Sequence, residues 1–338
     1  MDIVTSLRQS ARLDTIVLPA GLVLAATGCA SLRGEAEILP ASLCFLFALF
    51  AQIGGNFAYR HFNAKYNHGE FLDDVSAHDQ DTSMLDLTGM AARLMFILSA
   101  TVGLAILTMS GWWTIAAAVV IYGLIAANYA TSNPLYHTPW APIVPFLLFG
   151  VIGIGCSAMI QVYHDNPDPF SWYNMSPCVF TSIALGFLAA NIQIIHSYSF
   201  INRDTEIHKQ SFCVKFGRKA SIMTVFFSGV AYLAIIWIFV FTQHIGDHPE
   251  YSRFPEVYRF FGSIGLSMAG FSTIVAIIPF LMNCRVCLMM RKQKEDDLTD
   301  YIARTAMYSY FVAGVLVYVV ALLFGDADCS RIIYYMNL

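Results

Sequence analysis

The feature of this sequence that most limits its fold is a long stretch without charged side chains. Between Arg93 and Asp165 the chain has no Asp, Glu, Lys or Arg. A transmembrane helix needs about 20 apolar residues, so this stretch is long enough to cross a membrane more than once. Charged residues make up 12% of the whole chain, against roughly 25% in soluble domains. These properties exclude soluble enzymes, nucleic-acid-binding proteins and disordered proteins, and they predict an all-α polytopic membrane protein.

Apolar runs that are bounded by polar or turn-forming residues predict nine transmembrane helices. The Ser110–Gly111 pair separates two runs that hydropathy alone would join, and the segment from Pro134 to Pro142 forms the next connection. The helices are expected at residues 14–33, 38–58, 89–109, 111–130, 142–163, 178–200, 219–243, 261–283 and 304–324.

The Lys and Arg residues predict the orientation of these helices, because cytoplasmic loops carry an excess of positive charge. With the N-terminus in the cytoplasm, almost all of the 19 Lys and Arg residues lie on the cytoplasmic side. The exceptions are Arg33, Arg253, Arg259 and Arg331. We therefore expect residues 1–338 to form a single multi-pass domain in the inner (cytoplasmic) membrane of the cell. Two long cytoplasmic loops are expected at residues 59–88 and 201–218.

Several segments of the chain resemble one family of membrane enzymes. Residues Ala51–Ala58 are similar to the start of the first Asp-rich motif of the UbiA-type membrane prenyltransferases, and Gly186–Ile192 is similar to their sixth helix. Asn128-Tyr129 resembles part of their fourth helix, and Lys209–Gly217 resembles the loop after the sixth. These segments follow the family's order over roughly residues 10–240. They are most similar to the dihydroxynaphthoate polyprenyltransferases of menaquinone biosynthesis.

This resemblance implies a UbiA-type bundle of nine helices around a cavity that is open to lipid. Such enzymes bind a polyprenyl diphosphate through two Mg²⁺ ions at the cytoplasmic side, and they transfer the prenyl group to an aromatic acceptor. Asp-rich motifs hold the ions because Mg²⁺ prefers hard oxygen ligands, and the ions neutralise the charge of the leaving diphosphate. For an active enzyme the resemblance therefore implies Mg²⁺ as cofactor, with a polyprenyl diphosphate and an aromatic quinone precursor as ligands.

The sequence departs from the family where those carboxylates are expected. Arg60 and Asn63 stand at the first two Asp positions of the first motif, and Phe200 stands at the first Asp position of the second motif. Asp204 is retained in the second motif. Because an Arg at an Asp position replaces a ligand of cations by a cation, the sequence predicts the family's scaffold without its usual metal ligands.

The resemblance assigns candidate roles to the polar residues around the two motifs. The candidate catalytic residues are Asp204, Asn56 and Lys209, and Asp204 is also the candidate metal ligand. The candidate substrate-binding residues are Arg60, Asn63, Gln52, Asn191, His196, Arg203 and Tyr129. If Arg60 captures an anionic head group directly as a bidentate clamp, Asp204 is its expected ion-pair partner. Hydrogen bonding between helices and the positive-inside rule are the alternative explanations for these polar and basic residues.

The first predicted loop also contains a group of acidic residues. They are consistent with a relocated Mg²⁺ site, but the pattern favours a solvated acidic loop between two helices. The candidate relocated ligands are Asp73, Asp74, Asp79 and Asp81.

The sequence leaves three functions open. The first is prenyl transfer from a polyprenyl diphosphate to an aromatic quinone precursor by a rebuilt metal site. The second is a catalytically inactive relative that binds an isoprenoid or another anionic lipid without Mg²⁺, alone or as a subunit of a membrane-protein assembly. The third is a carrier or flippase for such a lipid. The missing carboxylates argue against the first function, and the retained Asn56 and Lys209 argue against simple decay of the site.

Overall fold

The structure is a computed structural model, and it describes residues 3–32, 36–66, 82–163, 170–242, 268–292 and 299–324. These residues form helices that are joined by short connections, with no β-strand among them. They also form a π-helical segment, Phe146–Val151, and 3₁₀ turns at Leu13–Ile16 and Leu135–His137. The helices are α1 (Ile3–Ala11), α2 (Val17–Ser31), α3 (Ile38–Lys65), α4 (Thr82–Ser110), α5 (Trp113–Tyr129), α6 (Ile143–Pro145), α7 (Ile152–Tyr163), α8 (Trp172–Ser199), α9 (Ile201–Glu206), α10 (Phe212–Thr242), α11 (Met268–Lys292) and α12 (Thr299–Phe324).

The transmembrane helices occur in the number and order that the sequence predicts. In the described part of the chain, 8 helical segments are long and apolar enough to cross a membrane, and α5 is a shorter apolar helix of 17 residues. At 1.5 Å per residue, α5 is about 25 Å long, which is close to the thickness of a bilayer's hydrocarbon core. The predicted all-α membrane fold is therefore confirmed, and the cytoplasmic location of the N-terminus stays a prediction.

The helices next to the two motifs are longer than the sequence analysis predicted. Helix α3 continues through Lys65, so Arg60 and Asn63 lie on a helix and not in a loop that starts at residue 59. The reason is local, because no Gly or Pro follows Gly55 before the helix ends. The predicted loop at 201–218 is also corrected: it consists of α9, a turn and the start of α10.

Glycines allow helix α2 to pack closely against α12 in the centre of the bundle. A Cβ atom on Gly21 would lie 3.0 Å from the Phe311 Cα atom, and one on Gly28 would lie 3.0 Å from the Tyr318 Cα atom. Small residues at such interfaces let helix backbones approach in a membrane, where packing and not hydrophobic burial drives association. This contact holds α2 against α12, and residues of both helices line the cavity described below.

The π-helical segment brings a second pair of backbones together. A Cβ atom on Gly150 would lie 2.5 Å from the Gly186 Cα atom of α8. The hydroxyl of Tyr310, from α12, donates a hydrogen bond of 2.6 Å to the carbonyl oxygen of Phe149. Because backbone carbonyls inside a membrane need a partner, this bond ties α12 to the irregular segment and shapes one wall of the cavity.

Candidate functional site

A cavity of about 490 Å³ lies inside the bundle, between α2, α3, α4, α5, α7 and α8. Its volume is within the range of sites that bind small molecules. Trp113 and Tyr129, the first and last residues of α5, both line the cavity, so the cavity extends along that whole helix. Most of its lining is apolar, which suits a hydrocarbon chain. The polar lining residues are concentrated at the end of α5 that carries Tyr129.

This polar end is built partly by α3, where four-residue spacing places two amides on one face. Asn56 Nδ2 donates to the carbonyl oxygen of Ala11 at 2.8 Å and to Thr15 Oγ1 at 3.1 Å. Gln52 Nε2 lies 3.3 Å from Thr15 Oγ1 and 3.3 Å from Asn56 Oδ1. Both amides line the cavity, and the same bonds hold the end of α1 against α3. Gln52 and Asn56, which the sequence analysis named as candidate site residues, therefore lie on one face of α3 at the polar end.

Three tyrosine rings form a cluster at the polar end. The ring of Tyr59 lies 5.6 Å from that of Tyr129 and 5.2 Å from that of Tyr136, measured between centroids. All three residues line the cavity. Tyr136 is only 4% exposed, so it belongs to the site and is not a tyrosine of the membrane interface. We call Tyr59, Tyr129 and Tyr136 the tyrosine cluster.

The two motif positions are linked through this cluster. The Tyr136 hydroxyl donates to Asn63 Oδ1 at 2.9 Å, and Lys209 Nζ lies 4.9 Å from the centroid of the Tyr136 ring. Lys209 Nζ is also 3.6 Å from Asp204 Oδ1. All four side chains are buried, and Asp204 and Asn63 are each 1% exposed. We call Asn63, Tyr136, Lys209 and Asp204 the motif bridge, because these residues join the first motif position to the second.

The turn after α9 explains why Lys209 meets Asp204. The amide of Lys209 donates to the carbonyl oxygen of Asp204 at 2.8 Å, and the amide of His208 donates to that of Thr205 at 3.2 Å. His208 has a φ of 56°. This combination is a Schellman motif, in which one left-handed residue reverses the chain at the end of a helix. The turn carries the Lys209 side chain back over the helix that bears Asp204.

Two predicted arginines lie near the motif bridge, each with a defined contact. Arg60 Nη1 donates to Ser10 Oγ at 2.7 Å, which connects α3 to α1. The Arg203 guanidinium lies 4.2 Å from the centroid of the Phe200 ring. The Phe200 ring is in turn 5.0 Å from the ring of His196, which lines the cavity. Asp204 forms an ion pair with Lys209, and the predicted pair of Asp204 with Arg60 stays a prediction.

Arg12 is a residue of the site that the sequence analysis missed. It lines the cavity while its side chain is exposed, and its φ of 46° places it in the left-handed region. Its carbonyl oxygen accepts a hydrogen bond of 2.8 Å from Thr15 Oγ1. The break between α1 and the 3₁₀ turn at Leu13–Ile16 therefore places a cation at the polar end. A basic residue directly before the first apolar run was the available signal.

Asn191 is placed differently from the prediction. Its Nδ2 donates to Asn283 Oδ1 at 3.0 Å, and Asn283 Nδ2 donates to the carbonyl oxygen of Val225 at 2.8 Å. These bonds join α8, α10 and α11, and the cavity is instead lined by the neighbouring Ile192, Gln193 and His196. Asn191 therefore packs between helices, because its side chain lies on the face of α8 that contacts α10 and α11.

The described residues do not fit a pair of Mg²⁺ ions. Within the described segments, no three His, Cys, Asp or Glu side chains come close enough together to hold a metal ion. The retained carboxylate of Asp204 is paired with the ammonium group of Lys209. In the first motif, Asn63 carries an amide whose Oδ1 accepts a hydrogen bond from Tyr136. Asp73, Asp74, Asp79 and Asp81, the candidate relocated ligands, lie outside the described residues.

Comparison with known proteins identifies the fold. No protein-family model and no curated protein matches the sequence. Among solved structures, digeranylgeranylglyceryl phosphate synthase is similar with a TM-score of 0.58 at 14% identity, over 95% of this chain and 99% of that one. A UbiA homologue from Aeropyrum pernix K1 is similar with a TM-score of 0.56 at 12% identity, over 89% of this chain and 97% of that one. This chain has the UbiA-type fold.

The UbiA-type fold confirms the architecture that the motifs predicted. At these identities the similarity establishes the fold and not the reaction. The two solved structures are matched almost over their whole length, so the helices that carry the motif bridge belong to the shared fold. The resemblance to dihydroxynaphthoate polyprenyltransferases stays a prediction.

Proposed function

We propose that this protein binds a polyprenyl diphosphate, or a related isoprenoid lipid with an anionic head group, without a pair of Mg²⁺ ions. The prenyl chain lies in the cavity along α5, and the head group lies at the polar end. The observation that carries this proposal is the motif bridge, in which Tyr136 and Lys209 lie between Asn63 of the first motif and Asp204 of the second, and Lys209 forms a buried ion pair with Asp204. The positive-inside rule predicts that this end faces the cytoplasm, in a cell's inner membrane.

The proposed binding of the prenyl chain is supported by the length and the lining of the cavity. A site that extends along a helix of about 25 Å suits an extended hydrocarbon chain. The walls include Leu22, Ile125 and Ile160, and burial of a chain against such side chains is favourable by about 25 cal/mol per Å² of apolar surface. A short soluble substrate would leave most of this apolar volume unused.

The head-group part is supported by the basic residues of the polar end. Arg12 lines the cavity. Arg60, held by Ser10, and Arg203, which lies against Phe200, are outside the lining but next to it: Arg60 directly follows the lining residue Tyr59, and Phe200 contacts the lining residue His196. A guanidinium group presents five N–H donors in a planar fork that matches a phosphate. These groups supply the positive charge that Mg²⁺ supplies when carboxylates are present. Because Arg60 stands where the family has an Asp, the proposed binding needs no metal ion.

The proposal is tested by measuring binding of geranylgeranyl diphosphate to the purified protein and to Arg60→Gln. A charge-assisted hydrogen bond contributes about 1.5–3 kcal/mol, so we expect about 10- to 100-fold weaker binding by Arg60→Gln. The matched control is Arg285→Gln, because Arg285 lies on α11 and donates to the Tyr301 hydroxyl at 2.8 Å. Equal affinities of Arg60→Gln and wild type would contradict the proposal.

Prenyl transfer to an aromatic quinone precursor, such as dihydroxynaphthoate in menaquinone biosynthesis, is the second candidate function. The tyrosine cluster favours it, because aromatic rings that line the cavity can stack on an aromatic acceptor and can stabilise a nearby cation. Incubation with geranylgeranyl diphosphate and dihydroxynaphthoate, with Mg²⁺ or with EDTA, separates the two functions. A product that needs Mg²⁺ and is lost in Asp204→Ala supports transfer. Lipid binding without any product supports a catalytically inactive binding protein, acting as a carrier or within a membrane assembly.

A further inference from the structure

The C-terminal end of α1 lies at the rim of the polar end, because Arg12, the next residue, lines the cavity. Two residues of α3 hold it there. Asn56 Nδ2 donates to the carbonyl oxygen of Ala11 at 2.8 Å, and Arg60 Nη1 donates to Ser10 Oγ at 2.7 Å. The last carbonyl groups of a helix lack partners within the helix, and a cation near them is favourable because of the helix dipole. Both bonds therefore stabilise the docked position of α1, and both use donors of residues that the resemblance assigns to the lipid site.

A single left-handed residue connects this docked helix to the rest of the bundle. Arg12 has a φ of 46° and a ψ of 58°, a conformation that is unfavourable for a residue with a side chain. Its carbonyl oxygen accepts hydrogen bonds from the amide of Thr15 at 2.9 Å and from Thr15 Oγ1 at 2.8 Å. The turn is thus held from the α2 side. Hinges of proteins are commonly a few residues at the end of an element, and a rotation at Arg12 moves α1 as a unit while Thr15 and α2 stay in place.

An anionic head group at the polar end competes with α1 for the Arg60 guanidinium. The bond from Nη1 to Ser10 Oγ has a neutral acceptor, whereas a hydrogen bond to a phosphate oxygen is charge-assisted and about twice as strong. A guanidinium binds phosphate most specifically through two parallel N–H groups. A pair of donors that includes Nη1 becomes available to the phosphate only when Ser10 gives it up.

We propose that α1 is a latch on the polar end, which is closed in this structure and opens when an anionic head group takes Arg60 from Ser10. This inference rests on the proposed function, in which the polar end binds the head group of an isoprenoid lipid. In the closed state the bonds to Ser10 and Ala11 keep α1 docked on α3. In the open state Arg60 binds the head group, and α1 turns away about Arg12. The apparent affinity for the lipid is then the intrinsic affinity reduced by the fraction of molecules whose latch is open.

The test is Ser10→Ala, which removes the hydroxyl that holds Arg60 and leaves every cation of the polar end in place. Because the latch then opens more often, we expect geranylgeranyl diphosphate to bind about tenfold more tightly than to wild type, which corresponds to about 1.4 kcal/mol. Ser10→Thr keeps a hydroxyl and should restore the wild-type affinity. The matched control is Ser228→Ala, because Ser228 is a buried serine of α10 outside the cavity lining, with its Oγ donating to the Thr224 carbonyl oxygen at 2.8 Å. Ser228→Ala should leave the affinity unchanged.

Amide hydrogen exchange of residues 3–11, followed by mass spectrometry, measures the movement of α1 itself. An isolated helix of 9 residues is marginal in water, so α1 exchanges faster when it is released. We expect saturation of wild type with geranylgeranyl diphosphate to speed this exchange about tenfold, as local opening does. Ser10→Ala should show a similar increase without lipid. Exchange of α11 is the internal control and should stay the same in all samples.

The outcomes separate this inference from the function on which it rests. Absence of lipid binding in wild type and in Ser10→Ala alike would overturn the proposed function, and the latch with it. If wild type binds the lipid but Ser10→Ala binds it with equal affinity or more weakly, Ser10 only packs or only orients Arg60, and the latch alone is overturned. Lipid binding that leaves the exchange of α1 unchanged would overturn the latch in the same way.

Discussion

The Lys209–Asp204 ion pair gives the most quantitative prediction for the stability of the protein. The perturbation is Lys209→Met, which removes the ammonium group and keeps most of the side-chain volume. Lys209 Nζ and Asp204 Oδ1 are 3.6 Å apart, and the two side chains are 3% and 1% exposed. At this distance and an effective dielectric constant of 20, the Coulomb attraction is about 5 kcal/mol.

This attraction offsets the loss of hydration of two buried charges, so the net contribution of the pair is smaller than the Coulomb energy. Removal of one partner from a buried pair costs about 3–5 kcal/mol, because the other charge stays buried. Replacement of both partners by apolar residues of similar volume is often neutral or stabilising. We therefore expect Lys209→Met alone to lower the free energy of unfolding by about 3–5 kcal/mol. Lys209→Met combined with Asp204→Leu should lower it by no more than about 1 kcal/mol.

The assay is equilibrium unfolding of the purified protein in mixed micelles by added SDS, followed by circular dichroism. Lys65→Met is the matched control, because Lys65 is exposed at the end of α3 and its Nζ lies 5.9 Å from the centroid of the Phe62 ring. An exposed interaction of this kind contributes about 0.5–1 kcal/mol. If Lys209→Met lowers the free energy of unfolding no more than Lys65→Met does, the ion pair does not stabilise the fold. The same conclusion follows if the double variant loses as much stability as Lys209→Met and Asp204→Leu, measured singly, lose together.

Further substitutions test other parts of the structure by the same unfolding assay. Gly150→Ala should lower the stability by about 1–3 kcal/mol, because its Cβ atom would meet the backbone of α8. Gly155→Ala is the control, because open space surrounds that position, and it should not destabilise the protein. Equal losses of stability in the two variants would contradict the close approach of Gly150 to α8. Tyr310→Phe should cost about 1–3 kcal/mol by leaving the Phe149 carbonyl oxygen without its donor, and an unchanged stability would contradict that bond. His208→Gly should stabilise the protein by about 1 kcal/mol, because Gly adopts a positive φ without strain; a destabilised variant would argue against the Schellman turn.

The sequence predicted those parts of the fold and site that depend on local patterns. The long apolar runs predicted nine transmembrane helices, because each helix must satisfy its own backbone hydrogen bonds in a membrane. Gln52 and Asn56 were candidate site residues from the sequence, and both side chains line the cavity because their four-residue spacing places them on one face of α3. Tyr129 and His196 also line it, as the resemblance implied.

The parts that the sequence did not predict depend on contacts between helices. The partner of Asp204 is set by the Schellman turn at His208, where no Gly signals a left-handed residue. Asn191 was a candidate substrate-binding residue, but its amide donates to Asn283, because the rotation of α8 directs this side chain towards α10 and α11. Arg12 joins the site through a break between α1 and the following 3₁₀ turn that hydropathy does not reveal.

Calorimetric titration of the wild-type protein with geranylgeranyl diphosphate, in Mg²⁺ and again in EDTA, distinguishes metal-free from metal-dependent binding of the diphosphate. The motif bridge joins the two motif positions through the Tyr136–Asn63 hydrogen bond and the Lys209–Asp204 ion pair, and the basic residues at and near the polar end carry the charge that faces the diphosphate. We therefore predict the same Kd, within about threefold, with and without Mg²⁺. Binding that disappears in EDTA and returns with Mg²⁺ would contradict the account.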